Sequence, residues 1–225
     1  MWNIFLFAAI PYLAVAIAVL GGIWRYNTDR FSYTSQSSQF LENRALFWGS
    51  VSWHYGILMI LGAHVVAVVL WEQWASLLDN PTRLYTLEII GLTFSILAIV
   101  GIAVLSLRRL LVRRVTSVTS RMDWVLLVVL VAQVILGIWV SLGYRWGSAW
   151  YSADVVPWLH SLFKLDPKVE YMAVLPAVVK VHAVLGFAIV ALFPFTRLVH
   201  VVTFPVTYLW RSYQVVVWNR RSQHQ

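Results

Sequence analysis

The sequence predicts an all-α integral membrane protein of five transmembrane helices, with its N-terminus outside and its C-terminus cytoplasmic. Three observations carry that prediction. Five apolar runs, at about 2–24, 47–71, 85–107, 124–142 and 171–202, have the length of roughly 20 residues that crosses a hydrocarbon layer of about 30 Å. The 225-residue chain is 60% hydrophobic and 12% charged, about half the charged share of a soluble domain. The basic residues also alternate in density from one connection to the next, which sets orientation.

The first run, 2–24, has no Lys or Arg ahead of it. A cleaved signal peptide opens on a positive segment, so this run reads as a retained helix, with Pro11 as the place for a kink. Arg25, Arg30 and Arg44 follow in a polar stretch assigned to the cytoplasm. The second run leads outward to a short loop holding Glu72, Asp79, Asn80-Pro81 and Arg83, and the third returns to the densest basic cluster, Arg108, Arg109, Arg113, Arg114 and Arg121. The fourth leads to a longer outer segment, 143–170, with Arg145 and Lys164 and Lys168. The fifth contains Lys180 and Pro194 and ends at Arg197, Arg211, Arg220 and Arg221. Twelve of the seventeen Lys and Arg residues thereby fall on one side, as cytoplasmic loops require. The net charge of +8 therefore belongs to orientation in lipid and implies no nucleic-acid partner. Residues 1–225 read as a single five-helix domain, whose thirteen Trp and ten Tyr suit interfacial belts.

Four of the six histidines fall inside two of these runs: His54 and His64 in the second, His182 and His200 in the fifth. Ionisable side chains at bilayer depth are costly, and by default they mark a functional site. Neutral imidazole is the commonest metal ligand, and two helices with two histidines each can grip two stacked iron porphyrins. The second run climbs outward and the fifth returns, so topology pairs His64 with His182 at an outer level and His54 with His200 at an inner one. The rises do not match: ten residues span about 15 Å and eighteen about 27 Å of helix. Phe193-Pro194-Phe195 offers a distortion between the last two histidines. Ser50, Ser52 and Thr196 are candidates to fix the second ring nitrogens. Gly56, Gly62 and Gly186 leave room beside the histidines, for a macrocycle or for close helix packing. Lys180 either snorkels outward or meets a haem propionate. His160, in a loop, and His224, in the tail, are read as solvated.

Cysteine is absent, which excludes a thiolate-held iron–sulfur cluster, a covalent haem attachment and a disulfide. Any haem is held without covalent attachment, as a b-type group.

Arg25-Tyr26, Ser37-Ser38-Gln39, His54-Tyr55-Gly56-Ile57-Leu58, His64, His182 through Gly186, Leu192-Phe193-Pro194-Phe195, Arg197-Leu198, His200, Pro205, Tyr208-Leu209, Arg211 and Tyr213-Gln214 carry a resemblance over almost the whole chain. The sequence is similar to the gamma subunit of respiratory nitrate reductase, the membrane cytochrome b of that complex. The resemblance implies five helices, a distal haem b on His64 and His182, and a proximal haem b on His54 and His200. It implies oxidation of a quinol, menaquinol or ubiquinol, at the outer face of the cell membrane. It further implies cytoplasmic partners, an iron–sulfur beta subunit and a molybdenum-containing alpha subunit that reduces nitrate. The family's quinol-site lysine has Arg83 as its basic counterpart here, and Ala63, after Gly62, stands where the family often has glycine. Two other readings fit part of the pattern. One is the quinone-linked cytochrome b of a sulfite-reductase-associated or heterodisulfide-reductase-like complex. The other is a haem-free membrane anchor whose histidines pack or relay protons.

Overall fold

The computed structural model describes residues 1–33, 41–144 and 146–202. Ser37, Ser38, Gln39, Arg145 and residues 203–225, with Pro205, Tyr208, Leu209, Arg211, Tyr213, Gln214, Arg220, Arg221 and His224, lie outside them. Among the described residues five helices are long and apolar enough to cross a membrane. They are α1 (Trp2–Thr28), α2 (Arg44–Val69), α4 (Pro81–Leu111), α5 (Arg121–Gly143) and α7 (Ala177–Leu192), the last continued by a 3-10 turn, Phe193–Phe195. Shorter helices lie in the connections between spans, among them α3 (Trp71–Leu78) and α6 (Val156–Phe163).

Local chemistry sets the helix ends. Asn80 caps α4, its side-chain oxygen accepting the N–H groups of Thr82 and Arg83, and Pro81 sits where a helix needs no N–H. Ser120 and Asp123 form a reciprocal capping box at the start of α5. Glu42 accepts the N–H groups of Ala45 and Leu46 at the start of α2, and its carboxylate pairs with the buried Arg108 at 2.6 Å. The Ala45 N–H and the Arg108 guanidinium hold that carboxyl below the usual carboxylate range.

The spans form an open arc in the order α1, α7, α5, α4, α2. The helix α2, with His54 and His64, and the helix α7, with His182, do not pack on one another along their length. The chain direction gives the arc an upper end, with Met1 and residues 70–80 and 144–176, and a lower end, with residues 29–33, 41–43, 112–120 and 196–202. Apolar side chains such as Leu13, Leu58, Leu61 and Leu142 face outward, a surface that lipid rather than water can cover.

The contact between α2 and α4 depends on small residues. A Cβ placed on Gly101 would lie 2.3 Å from the Trp53 nitrogen, and one on Gly56 would lie 2.6 Å from the Ala98 nitrogen. Backbones approach this closely only where side chains are missing, the usual device for joining helices in lipid. Gly101→Ala is therefore expected to push α2 from α4 at a cost of about 1–3 kcal/mol. A lower melting temperature of the detergent-solubilised protein would show it, and an unchanged one would count against this contact.

Pro11 does disturb α1. Residues Phe5–Ala9 form a π-helical turn just before it, and proline has no N–H to return to the Phe7 carbonyl in the α-helical pattern. The Trp158 indole donates to that carbonyl at 2.8 Å. Phe7 and Trp158 anchor a buried cluster with Val155, Leu162, Met172, Leu175 and Val179. The upper connection is thus a folded cap over the bundle.

One expected element does not form as a single piece. The run 171–202 is read from the sequence as one span, but a short helix, Glu170–Ala173, precedes α7. After Leu192 the chain makes the 3-10 turn at Pro194, extends at Thr196, and enters a second 3-10 turn, Arg197–Val201. His200 therefore stands beyond the helix that carries His182. This break resolves the mismatch of about 15 Å against about 27 Å, because eighteen residues of continuous helix never form.

Candidate functional site

At the lower level, the rings of His54 and His200 lie 6.1 Å apart between centroids, at 77° between planes. His54 Nδ1–H donates to the Ser50 carbonyl at 2.7 Å, with the Ser50 hydroxyl at 3.1 Å. His200 Nδ1–H donates to the Arg197 carbonyl at 2.6 Å. A carbonyl only accepts, so each Nδ1 carries the proton and each Nε2 keeps its lone pair. That is the form in which imidazole binds a metal. Ser50, not Ser52 or Thr196, serves His54. Thr196 is buried and caps the 3-10 turn by accepting from the Leu198 N–H.

His200 sits on a turn held by two arginines. Arg25, at the end of α1, donates to the Pro194 and Thr196 carbonyls at 2.7 and 3.1 Å, and to the Ser32 hydroxyl and carbonyl at 3.0 and 2.6 Å. It serves carbonyls that the broken helix no longer serves. Gly21 makes the approach possible, since an added Cβ would come 2.9 Å from Pro194. Arg197 pairs with the buried Asp123 carboxylate at 2.7 and 3.0 Å, a two-pronged contact of fixed geometry.

At the upper level, His64 Nδ1–H donates to the Ile60 carbonyl at 2.8 Å, leaving Nε2 free as in the lower pair. The His64 ring meets the edge of Tyr151 with centroids 5.0 Å apart, and the Tyr151 hydroxyl donates to the His64 carbonyl at 3.4 Å. His182 stands in the second turn of α7. Its own polar neighbour is Gln133 of α5, with Nε2 to Nε2 at 3.4 Å.

The remaining candidates separate from these pairs. Arg83 lies in the first turn of α4 with its side chain exposed and making no hydrogen bond among the described residues. His160 is on α6 and not in a loop, and its Nε2–H donates to the Val68 carbonyl at 2.8 Å. Lys180 snorkels: its ammonium donates to the Ala173 carbonyl at 2.6 Å, toward the upper end. Gly56 serves helix packing, nothing lies within 4 Å of a Cβ on Gly62, and a Cβ on Gly186 would meet Gln133 at 3.5 Å.

Tyr151 and Gln133 are absent from the residues singled out by sequence. Gln133 carries a legible signal, a polar amide in the middle of an apolar span. Tyr151 carries none, because the segment around it reads as an irregular loop. Burial pushes the Tyr151 phenol up to about 12. The unfolded chain releases this proton near pH 10 while the folded chain keeps it, so its contribution is complete below pH 10 and lost between 10 and about 12, by up to about 3 kcal/mol. Tyr151→Phe is expected to flatten that part of the pH-stability profile, measured by thermal unfolding. An equally steep loss in the variant would refute the assignment.

Among the described residues no group of three or more His, Asp or Glu converges, so the histidines offer themselves in pairs. Two imidazoles are what a porphyrin iron takes from protein, the macrocycle filling its other four positions. Metal–imidazole bonds of about 2 Å, with each ring centroid roughly 1 Å beyond its nitrogen, put two axial rings about 6 Å apart, the spacing seen for His54 and His200. By that spacing the lower pair fits such a group.

The sequence matches known proteins over nearly its full length. A family model described as nitrate reductase gamma subunit matches residues 3–219. The nitrate reductase gamma chain of Bacillus subtilis is 34% identical over 220 residues, covering 96% of this chain and 98% of that one. The nitrate reductase-like protein NarX of Mycobacterium tuberculosis is 32% identical over 219 residues, 95% of this chain and 33% of that protein. The respiratory nitrate reductase 2 gamma chain of Escherichia coli is 31% identical over 220 residues, 95% of this chain and 96% of that one. With its five spans and a match over nearly its full length, the chain belongs to the nitrate reductase gamma subunit family.

Proposed function

We propose that this chain is the membrane cytochrome b subunit of a respiratory quinol:nitrate oxidoreductase, set in the cell membrane with its N-terminus outside and its C-terminus in the cytoplasm. His54 and His200 would hold a proximal b-type haem iron, and His64 and His182 a distal one. When bound, these groups supply one-electron relays between the two faces of the bilayer. The observation that carries the reading is the approach of His54 on α2 to His200 on the turn beyond α7, ring centroids 6.1 Å apart, each with its Nδ1 fixed on a carbonyl.

The residues divide the work by level. At the upper end a quinol, menaquinol or ubiquinol, binds beside His64, and Arg83 donates to its oxygen as a fixed cation that takes no proton. Tyr151 stays protonated at working pH and holds the His64 turn in place. Protons leave on the upper side while electrons go to the lower side, so each charge separated stores about 2.3 kcal/mol per 100 mV. The lower end docks an iron–sulfur beta subunit and, beyond it, a molybdenum-containing alpha subunit that reduces nitrate. With no cysteine, this chain leaves cluster chemistry to that partner.

The purified complex, reduced with dithionite, is expected to show b-type absorption at two haems per gamma chain and to copurify with iron–sulfur and molybdenum subunits. A colourless preparation would overturn the reading.

A further inference from the structure

Three of the four span histidines have a ring nitrogen served by a carbonyl of their own chain segment, and His182 does not. Its Nδ1 is buried without a partner among the described residues, and Oε1 of Gln133 is buried without one as well. The two side chains come from adjacent helices, α5 and α7, and their nitrogens lie 3.4 Å apart. Native interiors rarely leave two neighbouring polar groups each with an unused atom unless the pair serves a purpose.

The surrounding backbone is cut away to admit this pair. A Cβ on Gly137, one turn along from Gln133, would come 3.2 Å from His182 Cε1, and one on Gly186, one turn along from His182, would come 3.5 Å from Gln133 Nε2. A carboxamide presents oxygen or nitrogen at the same place by turning over, so Gln133 can accept from an imidazole N–H without moving.

We infer that Gln133 is a positioning residue for His182, its amide oxygen accepting the Nε2–H 3.4 Å away and leaving the unpartnered Nδ1 as the ligating nitrogen. The inference rests on the haem reading proposed above. An acceptor on the outer nitrogen fixes the tautomer and makes the ligating nitrogen more basic. A more basic ligand favours ferric over ferrous iron, so Gln133 lowers the potential of the distal haem.

The test uses the whole complex with Gln133→Met, of similar length but offering no strong acceptor, and Gln133→Glu, offering a stronger one. Both haems are followed by optical redox titration and by the electron paramagnetic resonance of the ferric form. The distal component is the one missing in His64→Ala. Gln133→Met is expected to shift that component's equilibrium about tenfold toward ferrous, which is about 59 mV upward, and to move its ferric resonance. Gln133→Glu is expected to shift it downward, with the proximal component unmoved in both. An unmoved distal component, the same direction in both variants, or movement of the proximal component instead would overturn the inference. If the Glu variant does not assemble, Gln133→Asn takes its place: a potential nearer wild type than Met supports the inference, and one equal to Met overturns it. Absence of haem from the wild type, or two haems persisting in His64→Ala, would defeat the cofactor reading itself.

Discussion

In a complex carrying His64→Ala, nitrate reduction driven by quinol is expected to fall at least 100-fold, while reduction driven by an artificial donor to the soluble subunits persists. Loss even of an outer partner of a metal ligand typically costs 10- to 100-fold, and here the proposed ligand itself is removed. Among the described residues no nearby imidazole stands ready to replace it. His160 at the same end donates its Nε2–H to the Val68 carbonyl, and the proposed His182 partner cannot complete a two-ligand site alone. The optical spectrum should lose one of two b-type components, since His54 and His200 belong to the other level and sit on separately held turns. Sustained quinol-driven turnover in this variant would refute the proposed path.

Arg25→Gln should do comparable damage from the opposite end. Arg25 is the joint between α1 and the broken end of α7, donating to two carbonyls on the break and twice to Ser32. Hydrogen bonds from a charged group contribute about 1.5–3 kcal/mol each, and four from one guanidinium are not independent. Glutamine is too short and too poor in donors to reach both sides. The turn bearing His200 then loses its tie to α1 and keeps the Arg197–Asp123 pair. The expected result is loss of the proximal b-type component, or a haem-to-protein ratio lowered at least tenfold at that level, with the distal component retained. Quantitative haem extraction with redox titration measures both, and full proximal occupancy would remove Arg25 from this role.

The spans were legible because each is a long apolar run. The approach of His54 to His200 was legible because alternate spans run in opposite directions. The folded cap was not. Residues 144–176 mix aromatic, small and polar side chains with no sustained period, and their helices are stabilised by contacts such as Trp158 with Phe7, more than a hundred residues away in sequence. Pro194 signalled a disturbance, but its extent is decided by Arg25, 169 residues from Pro194. A proline removes one hydrogen bond; whether the chain bends or breaks depends on who serves the carbonyls set free. The same limit hid Tyr151 and misplaced His160. Gln133 differs, because an amide in the middle of an apolar span asks for a partner that could have been sought.

The indole bond from Trp158 to the Phe7 carbonyl has a counterpart in Tyr12, whose hydroxyl donates to the Leu162 carbonyl at 3.0 Å. Both clasps join the earliest stretch of chain to one made about 150 residues later. During synthesis, then, the Phe7 carbonyl waits unserved by tryptophan until the 151 residues up to Trp158 have followed it out. Closure of this end is a late event of biogenesis, governed by long-range loop formation, and a ribosome-bound chain halted before Trp158 would retain its helices with that end still unsealed.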